Sequence, residues 1–171
     1  MLKHITLRQW GALFAAASAL ILGAALISQY GFGMQPCKLC IFQRWPYGIA
    51  ILLGVALFVM HAKRDIAMLL LGLLALAFLF NAGLAFFHVG VEYHWWTFDS
   101  DCTANAIKPK ATVDELLAAL RAAPVVRCDE RQPFLFGMTM AFYNVLVCLG
   151  LSVIAGLACW WNAQRSNSLS Q

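Results

Sequence analysis

Six cysteines are the residues of this chain best suited to chemistry, and their placement divides them into three pairs. Cys37 and Cys40 frame a Cys-Lys-Leu-Cys run, Cys102 and Cys128 lie in a polar stretch, and Cys148 and Cys159 lie in a long apolar one. A Cys-x-x-Cys pair serves as a redox dithiol, as half of a zinc site or as part of a haem attachment. Haem attachment needs a histidine directly after the second cysteine, where this chain has Ile41. Zinc would need further ligands at short spacing, and Cys102 and Cys128 stand twenty-six residues apart without such neighbours. Redox chemistry is the better reading of Cys37 and Cys40, and no metal is expected. Cys148 and Cys159 read as small hydrophobes.

Arg44 follows Cys40 by four residues. If the chain is already helical there, the two share a face one turn apart, and Cys40 sits near the positive end of the helix dipole. Both effects favour the thiolate, the form that attacks disulfides and electrophilic rings. An arginine near a membrane span is either functional or snorkels to the interface. Pro46 sets the condition, because a helix that begins only there would remove the dipole from Cys40.

The elements that position these residues follow from composition. Hydrophobic residues make up 62% of the 171 residues, charged ones only 12%, and the mean hydropathy is +0.73. Soluble domains carry about 25% charged residues, so this chain lacks the polar surface to cover itself in water. The net charge of +4 offers no basic field for nucleic acid. Uncharged stretches run over residues 9–37, 45–62, 66–91 and 132–164, each long enough to cross a hydrocarbon core of about 30 Å. The expected fold is an all-α integral membrane four-helix bundle in one domain, residues 1–171. Its spans lie near 10–30, 41–61, 66–88 and 134–161, with loops near 31–40 and 89–133 on one side of the membrane.

Threaded through a bilayer, these spans put Lys3, Arg8, Lys63, Arg64, Asp65 and Arg165 on one side. The short segment around Lys38 and the long stretch from Glu92 to Arg131, with seven acids, fall on the other. Short cation-rich segments stay in the cytoplasm, so both termini are expected there, with Cys37, Cys40, Cys102 and Cys128 on the oxidising side. Trp10, Trp160 and Trp161 then mark one interface, and Trp45, Trp95 and Trp96 the other. His94 and His61 read as interfacial, and His4 as part of the cytoplasmic tail. The first span, preceded by Lys3 and Arg8, also fits a signal peptide, but it runs to Tyr30 without a convincing cleavage site and reads as a retained helix. Its Gly11, Ala15, Ala19 and Gly23 form a small-residue packing stripe. In the long loop, Thr112-Val-Asp-Glu115 has capping-box spacing ahead of Val113, Leu116, Leu117 and Leu120, which predicts a short amphipathic helix ending before Pro124.

Two dithiol pairs on one face raise the question of where electrons go. Strongly oxidising soluble partners have known potentials near about −120 mV, and thioredoxin-like pairs near about −270 mV. The gap of about 150 mV, roughly 7 kcal/mol for two electrons, needs a stronger oxidant downstream. The chain has no nucleotide loop, haem signature or iron–sulfur cysteine run, so a lipid-soluble quinone beside Cys40 and Arg44 is the natural acceptor.

With these residues in place the chain resembles the disulfide bond formation protein B family of bacterial inner-membrane protein-dithiol:quinone oxidoreductases. The resemblance is carried by four spans, the Pro36-Cys-Lys-Leu-Cys-Ile-Phe-Gln-Arg44 run, and two loop cysteines, the second within Cys128-Asp-Glu. It implies that Cys37 and Cys40 are the quinone-linked pair and that Cys102 and Cys128 form a disulfide oxidising a periplasmic thioredoxin-fold oxidase of the DsbA type. It further implies that Arg44 lies beside the quinone, ubiquinone or menaquinone, and that the membrane quinone pool passes the electrons to the respiratory chain. His88, at the outer end of the third span, is the candidate to bind the second quinone carbonyl or assist protonation, with Glu92 one turn later. Glu92 stands where some relatives carry an amide. The alternatives are a membrane reductase running electrons outward, which needs a cysteine pair on the cytoplasmic side, a vitamin K epoxide reductase-like protein, which carries its Cys-x-x-Cys at the last span, and a disulfide-stapled scaffold without turnover.

Overall fold

The computed structural model describes residues 5–60, 63–98, 128, 133–135 and 137–169. Helix α1 (Leu7–Gly31) starts at Thr6, whose hydroxyl accepts from the Gln9 N–H at 3.3 Å while the Gln9 side chain accepts from the Thr6 N–H at 2.8 Å. This reciprocal box satisfies two of the donors that a helix start leaves free. The second apolar span is two helices, α2 (Lys38–Phe42) and α3 (Arg44–Val59), which meet at Gln43. Pro46 accounts for the break. It has no N–H for the Phe42 carbonyl and its ring would crowd that oxygen, a penalty of about 3 kcal/mol inside a helix but small in the first turn of α3, where an N–H has no intrahelical partner.

Helix α4 (Arg64–Glu92) carries the third span past His88 to Glu92. A hairpin of β1 (Pro133–Leu135) and β2 (Met138–Thr139) turns at Gly137, with φ of +76°, and leads into α5 (Met140–Leu169). The fourth helix therefore starts later than residue 134, because the apolar residues before Met140 pair as strands, Pro133 with Thr139 and Leu135 with Met138. The amphipathic helix expected after Thr112, together with His4 and His61, lies outside the described residues.

Helix α1 lies along α3, α4 lies along α5, and α3 joins the two pairs through α4. Phe14, Tyr47, Ala50, Leu71, Leu74 and Phe78 form the centre of the core, with Phe14 and Phe78 ring centroids 5.8 Å apart. Leu20, Leu52 and Phe80 point outward and stay exposed. Such an apolar exterior suits lipid, and all four spans are long and apolar enough to cross a membrane. The chain is a multi-pass membrane helical bundle. Trp10, in the first turn of α1, is buried and stacked on Phe14 at 5.7 Å, whereas Trp45 and Trp160 are exposed.

Only part of the small-residue stripe is a seam. A Cβ on Gly11 would lie 2.7 Å from the Gly54 carbonyl oxygen, and one on Gly54 would lie 2.8 Å from the Gly11 oxygen, while Gly23 faces open space. Gly54→Val should therefore wedge α1 from α3 and cost about 1–3 kcal/mol. Gly72→Ala, at an open helical position, should be neutral or add up to about 1 kcal/mol. Thermal unfolding in detergent checks both, and equal midpoints for the two variants would refute the seam.

Candidate redox site

The site begins at the N-terminus of α2. Cys37 caps this helix, its sulfur accepting from the Cys40 N–H at 3.3 Å, and its thiol donates to the Cys40 sulfur at 3.1 Å. Cys128 is buried against Cys37, Leu39 and Val91, with Cys40, Phe87, Trp96 and Phe98 packed around them. Trp96 covers this cluster: it stacks on Phe87 at 5.5 Å and donates to the Phe87 carbonyl at 2.8 Å. It lies so close to Gly90 that a Cβ there would fall 2.0 Å from its ring.

His88 is buried in the last turn of α4 and touches the pair directly. Its Nε2 lies 3.5 Å from the Cys37 sulfur and its Nδ1 lies 3.0 Å from Gln43 Nε2. Glu92, one turn on and also buried, holds Oε1 3.8 Å from His88 Nε2 and accepts on Oε2 from the Thr139 hydroxyl at 2.6 Å. Thr139 also accepts from the Phe142 N–H at 3.4 Å, tying the hairpin and the start of α5 to the site. Gln43 Oε1 accepts from Asn144 Nδ2 at 2.6 Å. Asn144 Oδ1 in turn accepts from the Tyr47 hydroxyl and, at 3.5 Å, from the Cys148 thiol.

Arg44 opens α3, one residue after the junction with α2. The helix is interrupted at Gln43, but it begins at Lys38 and not at Pro46, so Cys40 lies in the first turn of the short α2. Arg44 is half-buried and its Nη1 donates to Gln29 Oε1 of α1 at 2.5 Å. The structure thus brings Cys37, Cys40, Cys128, His88 and Glu92 together, turns Arg44 toward α1, and leaves Cys102 outside the described residues. Sequence reasoning missed Gln29, Gln43, Thr139 and Asn144. Their signal was available, since a polar side chain within or beside an apolar span needs a partner there. Cys148 is also more than a small hydrophobe, for its sulfur accepts from Asn81 Nδ2 at 3.4 Å and meets the Tyr47 hydroxyl at 3.0 Å.

The electrostatics suit thiol chemistry. The Cys37 thiol is pushed up to about 12, first by its hydrogen bond to Cys40 and then by burial, against the pull of His88. Burial pushes the Cys128 thiol up to about 11, opposed by the backbone of Leu39 and Lys38. The donor atoms of Cys37, Cys40 and His88 lie within 4.8 Å of one another, a spacing that a soft divalent ion could also bridge.

A membrane bundle that gathers a Cys-x-x-Cys pair, a third cysteine and a histidine at one end defines a membrane-embedded thiol–disulfide protein. The model of the family described as Disulfide bond formation protein DsbB matches residues 7–158, and the chain belongs to that family. It is similar to Disulfide bond formation protein B of Chromohalobacter salexigens, 36% identical over 96 residues, 53% of this chain and 54% of that protein. Disulfide bond formation protein B of Herminiimonas arsenicoxydans is 37% identical over 81 residues, 47% of this chain and 49% of that protein. The matched stretch spans about half the length of each of these two relatives. An uncharacterized protein of Rickettsia prowazekii is 23% identical over 141 residues, 82% of this chain and 80% of that protein. No solved structure matches the chain. The chain is a membrane protein of disulfide bond formation.

The raised thiols fix a pH response. Both titrate above the ordinary 9.0 in the folded protein, so above that value the unfolded chain binds fewer protons than the folded one and stability falls as pH rises. The reduced protein should keep this contribution below about pH 9 and lose it through about pH 11–12. Alkylation of Cys37 and Cys128, followed by peptide mass spectrometry, should climb about tenfold per unit between about pH 7 and 9. A plateau below about pH 8 would contradict the burial effect.

Proposed function

We propose that this chain is a protein-dithiol:quinone oxidoreductase of the bacterial inner membrane. In this reading it re-oxidises a periplasmic, DsbA-like thioredoxin-fold oxidase and passes the electrons to membrane quinone, ubiquinone or menaquinone, and so to the respiratory chain. Both termini are cytoplasmic and the four redox cysteines face the periplasm. The observation that carries the reading is the packing of Cys128 against the Cys37–Cys40 pair, since a loop cysteine that only stapled its own loop would have no need of that contact.

The relay balances as successive disulfide exchanges. A partner thiolate attacks Cys102 of a Cys102–Cys128 disulfide, and the Cys128 thiolate leaves; the partner's second thiol resolves the mixed disulfide and frees Cys102. Cys128 attacks Cys37 of the Cys37–Cys40 disulfide, releasing Cys40. Cys102 then attacks Cys128, restoring the loop disulfide and leaving Cys37 and Cys40 as thiols. The reduced pair passes two electrons and two protons to a membrane quinone, which supplies the oxidising power, and re-forms its own disulfide.

Arg44 fits a quinone oxygen. Its guanidinium carries five N–H donors and gives one of them to Gln29. His88, with Glu92 beside it, stands against the Cys37 sulfur; in this reading it supports that sulfur, and the pair lies on the side from which a second quinone carbonyl would be bound or protonated.

Reconstitution with quinone and a reduced thioredoxin-fold partner, followed by quinone absorbance, tests the reading. Turnover is expected for the intact protein and should fall at least about a hundredfold in Cys40→Ser and in Cys102→Ser. Turnover retained in both variants sinks the enzyme. Arg44→Met should slow quinone reduction by about tenfold or more while the loop disulfide still reacts with the partner. Unchanged quinone kinetics would reduce Arg44 to an interfacial cation. An impermeant thiol reagent should reach Cys102 from outside after reduction, and labelling only from the cytoplasm would invert the topology.

A further inference from the structure

The polar side chains behind the dithiol form one chain of hydrogen bonds across three helices. Tyr47 of α3 donates to Asn144 Oδ1 of α5. Asn144 Nδ2 donates to Gln43 Oε1 at 2.6 Å, and Gln43 Nε2 faces His88 Nδ1 of α4 at 3.0 Å. His88 Nε2 faces the Cys37 sulfur at 3.5 Å, and Cys37 donates to Cys40 at 3.1 Å. Gln43, His88 and Cys37 are all buried.

The direction of this chain is set at both ends. Asn144 Oδ1 is approached by two donors, the Tyr47 hydroxyl and the Cys148 thiol, which leaves the Asn144 amide nitrogen for Gln43. With its oxygen so engaged, Gln43 presents its amide nitrogen to His88, and Nδ1 must accept. At the far end, the carboxyl oxygen Oε1 of Glu92 lies 3.8 Å from His88 Nε2 and favours a proton there. A neutral imidazole carries one ring proton, so a nitrogen that accepts from Gln43 leaves the proton on the other.

We propose that Gln43 and Asn144 are positioning residues that hold the His88 proton on Nε2, so that His88 acts as a hydrogen-bond donor to the Cys37 sulfur and not as its base. The inference deepens the redox reading of Cys37 and rests on it for its purpose. In the exchange where Cys102 attacks Cys128, Cys37 is the leaving sulfur, and a donor on that sulfur stabilises the departing thiolate. A histidine with a bare Nε2 would accept the thiol proton instead and give the departing charge no donor. The amides act through His88 and touch neither partner nor quinone in this assignment.

The test reads the ring itself. Nitrogen-15 spectra of His88 in the reduced wild-type protein, in detergent and without quinone or partner, should show Nε2 protonated and Nδ1 bare. Gln43→Glu, which can only accept, should draw a proton onto Nδ1. Asn144→Asp, which keeps the volume but cannot donate to Gln43, should lower the Nε2-protonated population. Alkylation of Cys37 at about pH 8 in Gln43→Leu should fall by about tenfold, the loss expected from removing one donor to a thiolate. A wild-type ring protonated at Nδ1 overturns the proposal whatever the variants do, and so does a tautomer that ignores both Gln43→Glu and Asn144→Asp. Because the spectra need no electron acceptor, a protein with the expected tautomer but no quinone turnover counts against the oxidoreductase reading alone.

Discussion

Pro46 has no N–H to offer the Phe42 carbonyl, which favours an interruption in the second span, and the site is arranged around the break at Gln43. The interruption falls at Gln43, which caps neither helix with its side chain. That side chain is therefore available to reach His88 on one side and Asn144 on the other. Cys37 caps the short helix ahead of the break and Arg44 opens the longer one after it. On either side of the break, Arg44 reaches Gln29 of α1 and Cys37 reaches His88 of α4.

Buried polar groups in an apolar bundle cost several kcal/mol each unless they are hydrogen-bonded, and this requirement knits the helices together around the cysteines. The Gln43, His88, Asn144 and Tyr47 side chains satisfy one another across α3, α4 and α5. Glu92 is held by Thr139, which ends the hairpin and also accepts from the first turn of α5. Since α3, α4 and α5 each contribute, the reactive pair is placed by the bundle as a whole, and the α1–α3 seam at Gly11 and Gly54 supports it from the other side.

Much of this was legible in the sequence. The charge gaps located four spans, and the cysteines and Arg44 stood out because so few polar residues interrupt the apolar runs. Pro46 was recognised as the condition on the Cys40 dipole, and helix begins ahead of it, at Lys38, with a break at Gln43. Gln43 lay inside the motif but carried no assigned role, because its importance comes from partners at sequence separations of 45 and 101 residues. Pairing over such distances has no local periodicity to betray it. The hairpin was absorbed into the fourth span because Phe134, Leu135 and Phe136 are as apolar as the helix that follows, and only Gly137 marks the turn.

Burial of the thiols also shapes the order of exchange in the proposed relay. A sulfur that titrates high is a strong nucleophile once ionised but a slow leaving group. Cys37, raised the most through its bond to Cys40 and by burial, would be the slowest to leave without assistance. Cys128 is also raised, though less, so release of Cys37 is the exchange in which an added donor has most effect. His88 lies on that sulfur, and its own ring is held by an amide chain that begins in the bundle core. The polar network thus places its support at the more strongly raised of these two sulfurs.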